Sequence, residues 1–138
     1  MPTPQEIAPI VQDCFNRRDG AKLLTLWTDD FEYEGPSVTF SGKDRMLAQE
    51  QSLWTAFPDI RCEVALFVAS DRCAALETRM VGTHEGRLRI GTTNLIEATG
   101  RKVDFTLSVH MTFRDGLIAR ERLFYDTLSF RRQLGLKE

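Results

Sequence analysis

The sequence predicts an α+β domain in which helices cover one face of an antiparallel sheet, and three observations carry that expectation. Apolar residues recur at helical spacing as far as Phe57, and from Ile60 onwards they alternate instead. The change falls at Phe57-Pro58, where a proline ends the last helical pattern. The length, 138 residues, suffices for about one core and not for two, so residues 1–138 are read as a single domain.

Each element has its own signal. Thr3 with Glu6 three residues later matches a capping box, and Pro4 suits a first helical position. Ile7, Ile10, Val11, Cys14 and Phe15 then make one stripe, with Pro9 inside it implying a kink or a later start. The run Asn16 to Gly20 stops this helix. A shorter second helix places Leu23, Leu24 and Trp27 on one side and is broken by Asp29-Asp30. Residues 31–40 read as an extended segment interrupted by Gly35-Pro36. Ser41 can cap a third helix, whose apolar face is Met46, Leu47, Leu53, Trp54 and Phe57. Beyond Pro58, Ile60, Cys62, Val64, Leu66 and Val68 alternate along one strand. Further strands are expected over 73–82, 87–97, 103–113 and 117–126.

Composition excludes several classes. Hydrophobic residues make up 42% and charged residues 28%, too apolar a chain for a disordered tail. Lys and Arg total 18 against 20 Asp and Glu, without the basic excess of a dedicated nucleic-acid binder. No apolar run reaches the length of a membrane span, and Met1 to Gln5 lacks a signal-peptide start. Cys14, Cys62 and Cys73 form no C-x-x-C pair, which fits a reducing compartment. The expectation is a cytoplasmic protein with no nucleic-acid or membrane partner. His84 and His110 are the only histidines and have no metal-ligand spacing, so neither a metal nor an organic cofactor is expected.

The last hairpin decides which side chains face inward. If Arg114-Asp115-Gly116 is a three-residue loop with a glycine bulge, one face collects Phe105, Leu107, Val109, Met111, Phe113, Leu117, Ala119, Glu121, Leu123 and Tyr125. The other collects the polar set, including His110, Arg120, Arg122 and Asp126, together with Ile118 and Phe124. A one-residue slip would exchange the faces, and this register gives the cleaner partition. It leaves Glu121 as the one ionisable carboxylate on an apolar face. There it is solvated at a rim, paired with a cation, or held in a pocket where burial raises its pKa and suits it to acid/base work. Asp126, on the opposite face, reads as an anchor for the C-terminal segment.

Gly82-Thr83-His84-Glu85-Gly86, Thr99-Gly100-Arg101-Lys102, the segment Phe113 to Ile118, and Tyr125-Asp126 followed by Gln133-Leu134-Gly135 resemble successive landmarks of the SnoaL-like polyketide cyclases. Ala56-Phe57-Pro58-Asp59 is similar to that family's boundary between third helix and sheet. The resemblance implies the nuclear-transport-factor-2-like cone: a curved sheet wrapped around three N-terminal helices, a cystatin-like α+β barrel with an apolar pocket, commonly dimeric. It implies a small-molecule pocket protein, an enzyme of polyketide-cyclase, isomerase or epoxide-hydrolase type acting on a bulky apolar substrate. Pockets of this fold without catalysis, and dimeric interaction domains using the outer sheet face with His110, Arg120 and Arg122, are the alternatives.

The carry-over of active-site residues departs from the family. Counting back from Gln133-Leu134-Gly135 puts Leu123 at the position of the cyclases' catalytic Asp. Counting back from Asp115-Gly116 puts Val109 and Leu107 where the family has a pocket histidine and a glutamine. Neither leucine nor valine shuttles protons, so Glu121 is the candidate acid/base residue. Glu77-Thr78-Arg79 resembles the Arg-x-Asp of limonene-type epoxide hydrolases with the charges exchanged, which makes Glu77 and Arg79 catalytic candidates or a solvated strand pair. Candidate substrate contacts are Tyr33, Tyr125, Trp27, Trp54, Leu107, Val109, Met111 and Leu123, the tyrosines orienting the ligand through their hydroxyls. The expected partners are an apolar small molecule and a second copy of the chain bound through the outer sheet face.

Overall fold

In a computed structural model that describes residues 1–91 and 94–137, helix α1 spans Pro4–Arg17. The Thr3 hydroxyl oxygen accepts from the Glu6 N–H at 3.3 Å and donates to the Glu6 carboxylate at 3.0 Å, closing the helix start as the capping box requires. The helix runs through Pro9, which sits on the exposed side. Ile7, Ala8, Val11, Cys14 and Phe15 form the buried stripe, and Ile10, 37% exposed, lies off it. Asn16 then clamps the sheet edge. Its amide accepts from the Cys62 N–H at 2.8 Å and donates to the Cys62 carbonyl at 2.9 Å.

Helix α2 (Gly20–Leu24), capped by Asp19, stops before Trp27, which instead opens strand β1 (Trp27–Glu34). Asp29 and Asp30 are therefore not breakers. They point outward from an irregular stretch of β1 and pair with Lys43 at 2.8 Å and Arg114 at 2.5 Å. Strand β2 (Thr39–Ser41) precedes helix α3 (Lys43–Ala56). The N-cap of α3 is Gly42 at φ 100, with no side-chain cap, rather than Ser41. Strands β3 (Arg61–Ala69) and β4 (Cys73–Thr83) follow as expected. The expected strand over 87–97 is instead a separate hairpin of β5 (Leu88–Ile90) and β6 (Asn94–Ile96). Its residues 92 and 93 lie outside the described residues. Strands β7 (Lys102–Arg114) and β8 (Leu117–Phe124) lead into helix α4 (Thr127–Gln133). Asp126 caps α4 by accepting from the Ser129 N–H at 3.0 Å, the anchoring role expected of it.

The large sheet has the order β2-β1-β8-β7-β4-β3 and curves around the helices. It is mixed rather than wholly antiparallel, because β1 runs parallel to β8. It also remains open, with β2 and β3 as free edges, so it does not close into a barrel.

Two bulges set the side-chain parity. At the last hairpin, Asp115 (φ 54) and Gly116 (φ 78) form a two-residue turn that pairs Arg114 with Leu117 and Phe113 with Ile118. The extra residue is Ala119, since Thr112 pairs with Arg120 and Met111 with Glu121. Ile118 consequently faces the core and is fully buried, against the expected partition, while Glu121 and Leu123 recover the inward face assigned to them. On β3 the register shifts between Val64 and Leu66, leaving Ala65 unpaired. Beyond it Leu66 and Val68 lie 56% exposed, while Phe67 packs against the core, so the alternation from Ile60 to Val68 does not mark one buried face. Among the described residues, no helix is long and apolar enough to cross a membrane.

Candidate functional site

Between the inner face of the sheet and helix α3 lies a cavity of about 510 Å³, within the range that holds a drug-sized ligand. Trp27 and Tyr33 reach it from β1, Phe105, Leu107 and Val109 from β7, and Leu123 and Tyr125 from the end of β8. The loop 35–38 and residues 88–91 also line it, and a Cβ on Gly91 would stand 3.8 Å from the Ser37 carbonyl oxygen. Gly35 is fitted to this wall. A Cβ there would stand 2.8 Å from the Tyr33 hydroxyl, so a larger residue would displace that ring.

Glu121 points into the cavity from β8, between Tyr33 on β1 and Met111 on β7, and is 7% exposed. The ladder register and the Ala119 bulge, not a local motif, put it there. A second carboxylate, Glu50 of α3, shares the cavity and was missed by the sequence reading. The signal was present. Met46, Leu47, Leu53 and Trp54 form the stripe of α3, and Glu50 falls in its centre, four residues after Met46 and three before Leu53.

These two are the only carboxylates among the described residues lining the cavity, and neither is hydrogen-bonded or ion-paired to another described residue. Burial pushes the Glu121 carboxyl up to about 7. Burial, together with the charge of Glu121, pushes Glu50 up to about 8. Burial and the same two carboxylates hold the Tyr33 phenol far above its ordinary range, so it remains a protonated donor. Burial likewise raises Tyr125, despite the Ser37 side chain beside it, and burial with Glu50 raises the Cys62 thiol to about 12. Three further polar atoms on the cavity residues lack a protein partner: Trp27 Nε1, Gln12 Oε1 and Thr78 Oγ1. Unmatched buried polar atoms of this kind are costly unless something in the cavity meets them.

The other expected site residues divide. Tyr33, Tyr125, Trp27, Leu107, Val109 and Leu123 line the cavity. Trp54 and Met111 do not. Trp54 packs on Phe15 at 5.8 Å between the two core clusters, and Met111 is buried beneath the sheet. Glu77 and Arg79 are turned away altogether. The parity of β4 sends Leu76, Thr78 and Met80 inward, so the residues between them face out. Arg79 there holds Asp104 with two hydrogen bonds, at 2.9 and 2.6 Å, and Thr78 is the member of the triplet that reaches the cavity. His84 is fully buried in the turn after β4, where its Nδ1 accepts from the Thr99 N–H at 3.2 Å. Burial holds its pKa down, so it serves the turn as a neutral ring.

The SnoaL-like polyketide cyclase family matches residues 5–134. The chain belongs to the SnoaL-like polyketide cyclase family. Solved structures agree on the fold. A SnoaL-like polyketide cyclase from Agrobacterium tumefaciens shares 24% identity with a TM-score of 0.79, covering 98% of this chain and 100% of that one. TsrD from Streptomyces laurentii shares 22% with a TM-score of 0.82, covering 96% and 95%. A hypothetical protein with a ketosteroid isomerase-like fold from Catenulispora acidiphila, in complex with trimethylamine, shares 15% with a TM-score of 0.77, covering 98% and 95%. No curated protein matches the chain. As a SnoaL-like protein it carries leucine and valine, at 123 and 109, in the cavity positions to which the sequence resemblance assigned the family's acid and histidine. Its titratable groups sit elsewhere in the same hollow.

Proposed function

We propose that this SnoaL-like protein is an acid–base enzyme of cyclase or isomerase type, acting on a bulky, mainly apolar carbonyl compound. The observation that carries this reading is the unpartnered Glu50 and Glu121 facing each other's charge inside one cavity, with burial bringing both toward neutral pH. Ionised Glu121 removes a proton from the carbon beside a carbonyl. Glu50, holding the proton of the singly protonated pair, gives it to the carbonyl oxygen, and the product is an enol. Return of a proton at another carbon completes an isomerisation. Attack of the enol carbon on a second carbonyl closes a ring. Tyr33, always protonated, orients the oxygen.

Exchange of α-protons in deuterated water tests this without knowledge of the natural substrate. With 2-tetralone and a panel of polycyclic 1,3-dicarbonyl compounds, the protein accelerates exchange above buffer. Glu121→Gln lowers that rate by about a hundredfold, the lower range for loss of a general base. No acceleration across the panel, or an unchanged rate in the variant, removes the proposal. The second reading is a ligand-binding module without chemistry, which the apolar residues at 123 and 109 favour. Binding of the same compounds without exchange would establish it.

A further inference from the structure

We infer that the ligand of this cavity carries a basic nitrogen, protonated at neutral pH, on an apolar body. A buried carboxylate, Glu121, and a half-buried one, Glu50, line the cavity, and no cation among the described residues pairs with either. The uncompensated acceptors go further. Gln12 Oε1 and Thr78 Oγ1 also lack partners, and Thr78 is fully buried on the inward face of β4. Counted with the two carboxylates, acceptors outnumber donors: Gln12 Oε1 accepts, the Thr78 hydroxyl serves in either sense, and Trp27 Nε1–H is the opposing donor. An ammonium supplies both the positive charge and the N–H groups that such a set lacks. The walls suit it as well. Trp27, Tyr33, Phe40 and Tyr125 present ring faces or edges to the cavity, and aromatic faces attract a cation brought out of water.

The charges around the pair come from every element packed on it. Glu50 belongs to α3, Glu121 to β8, Tyr33 to β1, Cys62 to β3, and Tyr125 follows β8. Arg45 and Arg89 line the cavity from exposed positions, and neither is among the charges acting on Glu50 or Glu121. Arg45 lies over the Phe40 ring at 5.1 Å. A bound ammonium favours the ionised form of both carboxylates, so binding expels protons from the pair. The inference shares with the proposed function the assumption that this cavity is the ligand site, but not its chemistry.

Titration calorimetry with 2-naphthylmethylamine and its neutral counterpart 2-naphthalenemethanol separates the two. The amine binds at least about tenfold more tightly than the alcohol at pH 8.5, and its advantage shrinks at pH 6, where the pair is protonated. At pH 7, amine binding releases protons, seen as a dependence of the heat on the buffer. Glu50→Gln or Glu121→Gln weakens the preference of amine over alcohol, and the double substitution abolishes it. Equal affinities at pH 8.5, an amine affinity indifferent to both substitutions, or failure of the amine to bind at all overturns the inference. The comparison on the unmodified protein stands even if a variant does not fold. Proton exchange can fail while the amine preference holds, and the reverse, so each idea falls by itself.

Discussion

A carboxylate that is neutral in the fold and ionised in the unfolded chain weakens the protein as pH rises. Glu50 and Glu121 have that character, raised by burial to about 8 and about 7 from an ordinary 4.5. Between those limits the folded chain holds more protons than the unfolded one, so their contribution is complete below about 4.5 and disappears as pH climbs through 7 and 8. His84 works in the other direction. Burial lowers its pKa, so its effect lies below its ordinary 6.5. Scanning calorimetry from pH 7 to pH 9 leaves the histidine out, and the variants separate the carboxylates from the buried Cys14 and Cys62 thiols, which weaken the fold in the same direction as pH nears 9. The melting temperature falls over this interval, and Glu50→Gln and Glu121→Gln each flatten the fall and raise the value at pH 9 by on the order of 5 °C. A flat profile in the unmodified protein contradicts the burial of these charges.

At the level of strands, the inward aim of Glu121 depends on one extra residue. The two-residue turn at Asp115-Gly116 alone would continue the ladder so that Arg120 and Arg122, not Glu121 and Leu123, shared the face of Phe113 and Met111. Ala119 absorbs the difference. Deleting Ala119 removes the bulge yet keeps the parity, because the Thr112–Arg120 pair then follows Phe113–Ile118 directly and Glu121 stays inward. Deleting Ala119 and Arg120 together instead turns Glu121 outward and Arg122 inward, with a large loss of stability by denaturant titration and, in any folded fraction, complete loss of α-proton exchange. Loss of exchange in a stable single deletion, or full exchange in the double one, would mean that the parity of β8 does not aim the carboxylate. The same parity argument explains Glu77 and Arg79, whose spacing imitated a catalytic pair on the outer side of β4.

For the molecule as a whole, the cavity and the outer sheet face are separate surfaces with separate uses. On the outside, Leu66 and Val68 of β3 and Phe124 of β8 remain exposed and border a groove of about 330 Å³ with Ala75, Glu77, Thr106 and Ser108. Exposed apolar groups in one patch on a rigid sheet suit a protein contact. We propose that a second copy of the chain covers this face, with His110 and Arg122 beside the groove and Arg120 further along β8. Light scattering at about 10 µM then gives twice the chain mass of 15.8 kDa, and Leu66→Asp gives the single mass. A monomeric unmodified protein at that concentration refutes the dimer without touching the cavity.

Local chemistry made much of this legible in the chain. The capping box at Thr3, the change of period at Pro58, and the Asp126 anchor each depend on neighbours within a few residues. The inward position of Glu121 was also reached, though through a three-residue loop where the fold uses a tight turn and a later bulge. Tertiary structure alone decided the rest. Whether β1 joins β8 in parallel, whether Leu66 turns outward after Ala65, and whether Glu50 meets Glu121 across the hollow depend on groups brought together from far apart in the chain. An amphipathic pattern tells a residue which face it shares. It carries no information about what stands opposite, and the pKa of a buried acid is set by what stands opposite.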